Sequence, residues 1–171
     1  MEILSTLSEV ARELPIVFPV HPRTRASIEE FGLEHYLQEG QRVHGISAMG
    51  PLGYLELLHL NMNARVVFTD SGGAQEETTV LGVPCITLRN TTERPITCTA
   101  GTNYLAGTRR ENILRAPAKV LRGQIRPSNV LEKWDGKAAE RIVAVLIAQM
   151  CDVKPEHGSP RQPLGVNSRN R

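Results

Sequence analysis

Apolar residues in this chain fall into short dense runs separated by longer stretches in which they recur every three or four positions. Ile16-Val17-Phe18-Pro19-Val20, Arg65 to Thr69 and Pro84-Cys85-Ile86-Thr87-Leu88 read as buried strands, as do Arg42-Val43-His44-Gly45-Ile46 and Thr102-Asn103-Tyr104-Leu105. Helical spacing predicts helices over 2–13, 24–38 and Leu52 to Met62, then from Ser71 to Gly82-Val83-Pro84, a short one from Thr92, and one over 109–122. A last helix is expected over Trp134 to Met150, where Asp135-Gly136 offers a start and Ala139, Ile142, Val143, Leu146 and Met150 recur at helical spacing. Strands alternating with helices predict the α/β class, a parallel sheet wrapped by helices, because parallel strands need crossover connections. No internal repeat is apparent.

Parallel sheets of this kind bind ligands beyond the carboxyl ends of their strands. Three polar turns are expected on that rim. They are His21-Pro22-Arg23, Asp70-Ser71-Gly72-Gly73, and the stretch from Arg89 to Arg94. The second carries the strongest chemistry. A strand, then Ser-Gly-Gly, then a helix makes a phosphate seat, since first-turn N–H groups lack partners and the helix dipole is positive there. Glycines admit close approach, and Ser71 adds a hydroxyl. Two carboxylates, Glu76 and Glu77, follow within about a turn, and sugar hydroxyls would account for one of them. The site reads as a seat for a nucleotide or nucleotide-sugar.

Composition narrows the classes. Apolar content is 40% and charged content 22%, enough for a packed core. Residues 1–151 hold 16 Lys and Arg against 16 Asp and Glu, so the net charge of +2 lies wholly in residues 152–171. The alkaline balance is therefore no sign of nucleic-acid binding. Residues 1–151 are expected to form one domain, and 152–171, polar and aperiodic, a disordered tail. Cys85, Cys98 and Cys151 share no metal-ligand spacing, and Cys85 in its apolar run reads as a small core residue. No His, Cys, Asp and Glu cluster suits a metal. Neither an apolar leader nor a run of about 20 apolar residues is present, so no membrane span is expected and a cytoplasmic location is the default.

With Asp70-Ser71-Gly72-Gly73-Ala74-Gln75-Glu76-Glu77, Leu81-Gly82-Val83-Pro84, Leu88-Arg89 and Thr92-Glu93-Arg94-Pro95 in view, the chain resembles the carboxy-terminal domain of non-hydrolysing UDP-N-acetylglucosamine 2-epimerases. Pro19-Val20-His21-Pro22, Pro51-Leu52-Gly53-Tyr54, Ala100-Gly101-Thr102 with Gly107-Thr108, and Asp135-Gly136-Lys137-Ala138 extend the resemblance over roughly residues 15–150. It implies the carboxy-terminal, Rossmann-like half of a two-domain glycosyltransferase-B fold, which holds most of the UDP. It implies that Ser71, Gly72 and Gly73 bind the diphosphate, that Glu77 accepts from both ribose hydroxyls, and that Arg94 faces the phosphate and sugar. It also implies that His21 donates to a phosphate and that the backbone near Leu57 pairs with the uracil edge. Glu77 follows Gly73 by four residues, which puts it on the helix face beside the phosphates. Glu76, about 100° round that helix, reads as a solvated or structural acid. Arg89 reads as pairing with Asp70 or Glu93, and Glu93 as either positioning Arg94 or capping the next helix. His35, His44, His59 and His157 read as surface or core fillers.

The resemblance implies inversion at C2 of the sugar through elimination and re-addition of UDP, without a redox cofactor. The family's acid/base carboxylates and its His-Arg-Arg-Glu stretch lie upstream of the matched region, so no catalytic residue is assigned in this chain. It is expected to be half an enzyme, with Pro95-Ile96 departing from the Pro-Glu of many members. Its partners would be UDP and a UDP-N-acetylhexosamine, and an amino-terminal domain or a second copy packed on the face with Ile142, Val145, Leu146 and Ile147. A stand-alone UDP-sugar-binding module and a glycosyltransferase half-domain are the competing readings.

Overall fold

β-Branched and aromatic runs extend and pair where predicted, and the loops that follow them set up the ligand rim. The computed structural model describes residues 2–39, 45–122 and 131–152. The expected tail beyond 152, residues 42–44 of the second expected strand, and His44 and His157 lie outside them. The elements in chain order are α1 (Glu2–Val10), β1 (Ile16–Pro19), α2 (Pro22–Glu30), β2 (Leu37–Glu39), β3 (Ile46–Met49), α3 (Tyr54–Met62) and β4 (Val67–Thr69). Then come α4 (Gly72–Leu81), β5 (Cys85–Thr87), α5 (Pro95–Thr99), β6 (Asn103–Leu105), α6 (Arg110–Leu121) and α7 (Ala138–Asp152).

Among the described residues every strand pairing is parallel, as the alternation of elements requires. These strands form two three-stranded sheets, in the orders β1-β3-β2 and β4-β5-β6. Ile16 pairs with Ile46 in the first, and Cys85 pairs with Val67 on one side and Asn103 on the other in the second. Strand β5 is the fully buried centre of the second sheet. Ile86, Ala106, Ala116 and Val120 make its core, with Phe68, Leu88 and Tyr104 packed against them. Cys85 is part of this interior, and burial pushes its thiol up to about 11, which fits a core filler and not a nucleophile.

Several boundaries differ from the sequence expectation. The helix expected over 24–38 stops at Glu30 because Gly32 takes φ +63. Its N–H bonds to the carbonyl of Glu29, and that of Leu33 bonds to Ile28, the pairing that closes a helix end. A turn of tighter helix at Glu34–Tyr36 then leads into β2, a strand the apolar pattern did not reveal. The next strand, Ile46–Met49, overlaps the expected run Arg42-Val43-His44-Gly45-Ile46 only at its last residue and extends beyond it.

Residues 132–152 form a separate unit and are described by themselves. Asp135 receives the Arg141 guanidinium at 2.8 and 3.0 Å and the Lys137 N–H at 3.0 Å. This holds the turn ahead of α7, which starts at Ala138 and not at Trp134. Ile142, Val143, Val145, Leu146, Ile147 and Met150 are exposed along it. The Arg141 guanidinium, and next the Lys137 N–H, push the Asp135 carboxyl down from 3.8 to about 2. Because the folded value is depressed, the contribution of this turn is complete above the ordinary value and is lost as pH falls towards 2. Carboxyl-detected NMR should therefore find Asp135 titrating near 2, and Arg141→Gln should raise it towards the ordinary aspartate range, with the Lys137 N–H still holding it somewhat low.

Candidate functional site

Strand β4 ends at Thr69, and the chain turns sharply into α4. Ser71 is the residue capping α4, extended at φ −83 and ψ 130. Its N–H donates to Thr69 Oγ1 at 3.0 Å, and its own Oγ accepts from Ala74 N–H at a long 3.5 Å. The hydroxyl is thus held at the helix mouth by a weak bond. The Gly72 and Gly73 amides sit in the first turn, where a helix has no carbonyl to give them. Together these groups present donors and a positive dipole end to the rim of the second sheet.

The two glycines are there for different reasons. A Cβ on Gly72 would lie 2.6 Å from Glu93 Oε1, the tip of a flexible, half-exposed side chain that would have to move aside. A Cβ on Gly73 would meet only Ser71 Oγ, at an ordinary 3.8 Å. Nothing in the protein fills the space beside Gly73. A small anion approaching the first-turn amides would fill it.

Charge around this turn is arranged in pairs. Arg94 Nε lies 2.9 Å from Glu76 Oε1, an ion pair with both side chains about two-fifths exposed. Glu76 is therefore the structural acid expected, and its partner is the arginine of Thr92-Glu93-Arg94-Pro95. Arg89 Nη1 lies 3.1 Å from Glu93 Oε2 and donates to the Asp70 carbonyl at 3.4 Å. Arg89 thus has the structural pairing expected of it, through the backbone of Asp70 and the carboxylate of Glu93. Its cation, after Glu93's own backbone N–H, holds the Glu93 carboxyl below its usual range. Glu93 neither caps α5, whose capping residue Arg94 has no side-chain bond there, nor touches Arg94 through a hydrogen bond.

A cavity of about 1400 Å³ opens beside this turn, between strands β1 and β4, which no ladder joins among the described residues. His21, Leu57, Ser71, Gly73 and Glu77 all line it. Gly72 and Arg94 do not line it, and the position of a Gly72 Cβ is 3.8 Å from Arg94 Cγ. Five of the seven residues expected at the site therefore share one cavity, and Gly72 and Arg94 lie outside its lining. His21 caps α2, with Nδ1 accepting from Arg23 N–H at 3.2 Å, so its proton resides on Nε2 and that nitrogen is a donor. Leu57 lies in the first half of α3 with its N–H bonded to Gly53 at 2.9 Å, so the unbonded amides at this end of the cavity belong to the turn before it. Among the described residues, no group of three or more His, Cys, Asp or Glu is placed to hold a metal.

Behind the turn lies a polar centre that the apolar pattern did not reveal. Gln75, Thr78 and Thr79 face inward from α4 and are buried, together with Thr87, Thr97, Thr102 and Asn103. Gln75 Oε1 accepts from Thr92 Oγ1 at 2.6 Å and from Asn103 Nδ2 at 3.1 Å. The available signal was Gln75, Thr78 and Thr79 themselves: three hydrogen-bonding side chains at i, i+3 and i+4, where a helix packing on a sheet normally turns apolar residues inward.

The sequence model of the UDP-N-acetylglucosamine 2-epimerase family matches residues 1–147. The UDP-N-acetylglucosamine 2-epimerase of Methanococcus maripaludis is 39% identical over 150 residues, which cover 86% of this chain and 40% of that protein. That of Methanocaldococcus jannaschii is 43% identical over 136 residues, covering 77% of this chain and 34% of its own length. The crystal structure of the Methanocaldococcus jannaschii UDP-GlcNAc 2-epimerase in complex with UDP-GlcNAc and UDP superposes with a TM-score of 0.72 at 38% identity, over 86% of this chain and 40% of that one. The chain thus spans about 40% of the length of such relatives. Parallel strands flanked by helices here are the Rossmann-like, carboxy-terminal half of a two-domain glycosyltransferase-B fold.

The steric difference between the two glycines is measurable. Gly72→Ala must displace the Glu93 carboxylate and break its pair with Arg89, at a cost of about 1 kcal/mol. Gly73→Ala should be neutral or stabilising by up to about 1 kcal/mol, since Ala is the better helix former. Urea unfolding midpoints of the two variants, compared with the unsubstituted chain, give the order.

Proposed function

Because this chain belongs to the UDP-N-acetylglucosamine 2-epimerase family, we propose that its cavity holds the UDP of a UDP-N-acetylhexosamine during inversion at C2 of the sugar. The observation that carries the reading is the convergence of His21, Leu57, Ser71, Gly73 and Glu77 on one cavity beside an uncapped pair of glycine amides. The diphosphate sits at the mouth of α4, on the Gly72 and Gly73 amides and the Ser71 hydroxyl. Glu77, one turn along the same helix, accepts from the vicinal ribose hydroxyls. Uracil lies towards α3 and Leu57. His21 Nε2–H and the Arg94 guanidinium contact the phosphates from either side.

In this reading the chain serves the leaving group. A base removes the C2 proton, the C1–oxygen bond breaks, and UDP departs with the bonding electrons, leaving a 2-acetamidoglucal. A proton is then delivered to the other face of C2 and UDP adds back at C1. Negative charge grows on the β-phosphate as the bond breaks, and fixed donors already aimed at it lower that barrier. Arg94 is held by Glu76 in the free chain, so its charge is poised beside the seat before any anion arrives. Glu76 and Glu93 are committed to arginines and Glu77 to ribose. The family resemblance implies that the acid and base at C2 belong to the amino-terminal part of such proteins, and the exposed apolar side of α7 is assigned to its docking or to a second copy.

A binding module without chemistry is the competing reading, favoured by the same commitment of the carboxylates. Two measurements separate the readings. In titration calorimetry UDP should bind the chain, and Glu77→Ala and Gly73→Ala should each weaken it roughly tenfold. Unchanged affinity in Glu77→Ala would remove the ribose assignment, and no binding at all would remove the seat. Solvent deuterium should enter C2 of UDP-GlcNAc only when the amino-terminal half of the Methanocaldococcus jannaschii protein is supplied and co-elutes with the chain. Exchange by the chain alone would place the base within it, and no exchange by the pair would favour the binding module.

A further inference from the structure

The buried amides of Gln75 and Asn103 form a centre that no assigned role uses. Asn103 opens β6 and is 5% exposed, while Gln75 on α4 is fully buried. Thr87 Oγ1 on β5 donates to Asn103 Oδ1 at 2.6 Å, and the amide's Nδ2 faces the α4 and α5 side. From there Nδ2 donates to Gln75 Oε1 at 3.1 Å and to Thr97 Oγ1 at 3.2 Å, with Cys98 Sγ at 3.3 Å. Two hydroxyls stand between this centre and Arg94. Thr92 Oγ1 donates to Gln75 Oε1 at 2.6 Å and accepts from the Arg94 N–H at 3.0 Å. Thr97 Oγ1 accepts from Asn103 and donates to the Arg94 carbonyl at 2.7 Å.

Donor and acceptor identities make this arrangement one-way. A hydroxyl has a single proton to give. Gln75 Oε1 only accepts, so it takes the Thr92 proton and leaves the Thr92 lone pairs for the Arg94 N–H. Asn103 Nδ2 only donates, so it occupies a Thr97 lone pair and leaves the Thr97 proton for the Arg94 carbonyl. Both polar ends of Arg94 are thereby held by groups whose polarity is set in the core. The residue they hold lies at φ −119 and ψ 56, as the cap of α5.

We propose that Gln75 and Asn103 are positioning residues which, through the hydroxyls of Thr92 and Thr97, fix the backbone of Arg94 and with it the direction of the guanidinium at the diphosphate seat. The proposal rests on Arg94 being a phosphate-side residue, as read above. Gln75 lies on the same helix whose first turn forms the seat, so one helix sets the positions of the amides and, through Thr92, of the opposing cation. Glu76, the next residue, completes the hold by pairing with the guanidinium itself.

Thr92 is the accessible test, since it is half-buried in a loop and Val matches its shape. Thr92→Val removes the relay and should weaken UDP binding roughly five- to tenfold, while Thr92→Ser, which keeps the hydroxyl, should stay within about twofold. Exchange of the Arg94 amide hydrogen in the nucleotide-free chain should accelerate in the Val variant alone. In an Arg94→Ala background, Thr92→Val should cause no further loss of UDP affinity, the coupling that a merely structural role would not produce. Asn103→Asp offers a second arm, because a carboxylate cannot donate to Thr97 and turns that hydroxyl away from the Arg94 carbonyl. Its UDP affinity should also fall, with an unfolding midpoint showing a folded chain. Unchanged UDP affinity in Thr92→Val, or a full additive loss with Arg94→Ala, would overturn the positioning role while leaving the seat intact. Absence of UDP binding by the unsubstituted chain would overturn the seat, and the positioning role with it.

Discussion

The amide of Asn103 is the interaction on which the rest of the site depends. It joins β5 through Thr87, α4 through Gln75 and α5 through Thr97, all inside a protein interior where an unpaired polar group is costly. A purely apolar core would hold these elements at the right distances but would allow them to slide. Hydrogen bonds are directional and narrow the arrangements available. In the proposed positioning role, the glycine turn and Arg94 are tied to this centre through Gln75, Thr92 and Thr97.

Charge is handled in a different way from hydrogen bonding. The two arginines of the Leu88–Arg94 loop are matched one to one with Glu93 and Glu76, all at partly exposed positions. Exposed pairs contribute little to stability. Their value here is directional, since each holds a long flexible side chain near the turn and so reduces the ordering needed when an anion arrives. The cavity beside them is larger than one nucleotide requires, because it continues between the edges of β1 and β4. Its apolar floor, with Phe18 and Phe68, and its polar rim are distinct surfaces of the same opening.

How much of this was legible in the sequence depended on the kind of signal. Strands such as Cys85–Thr87 and helices such as Gly72–Leu81 were readable because burial on both faces, or an end marked by Ser71 and Gly82, leaves a strong local trace. Strand β2 was not, because Leu37-Gln38-Glu39 pairs along one edge and carries no apolar run. The residues proposed for the seat were singled out by motif and family resemblance together. That Glu76 serves Arg94, and Glu93 serves Arg89, follows only from the packing of one loop against one helix turn. The Gln75–Asn103 centre was hidden for a similar reason: its members are 28 positions apart and each, taken alone, is an ordinary polar residue.

Helix α1 lies along α6, and Arg110 clamps Glu9 with bonds of 2.7 and 2.8 Å across 101 residues of sequence. On a ribosome, where chains emerge from the amino end, α1 is made long before the surface it packs on. Most other contacts in the second sheet close over one strand, one helix and one strand, which are short loops for a chain to form. The α1–α6 contact spans far more chain and is costlier in loop closure than these. Of the two helices, the one made first has to wait for the other before the Glu9–Arg110 clamp can close.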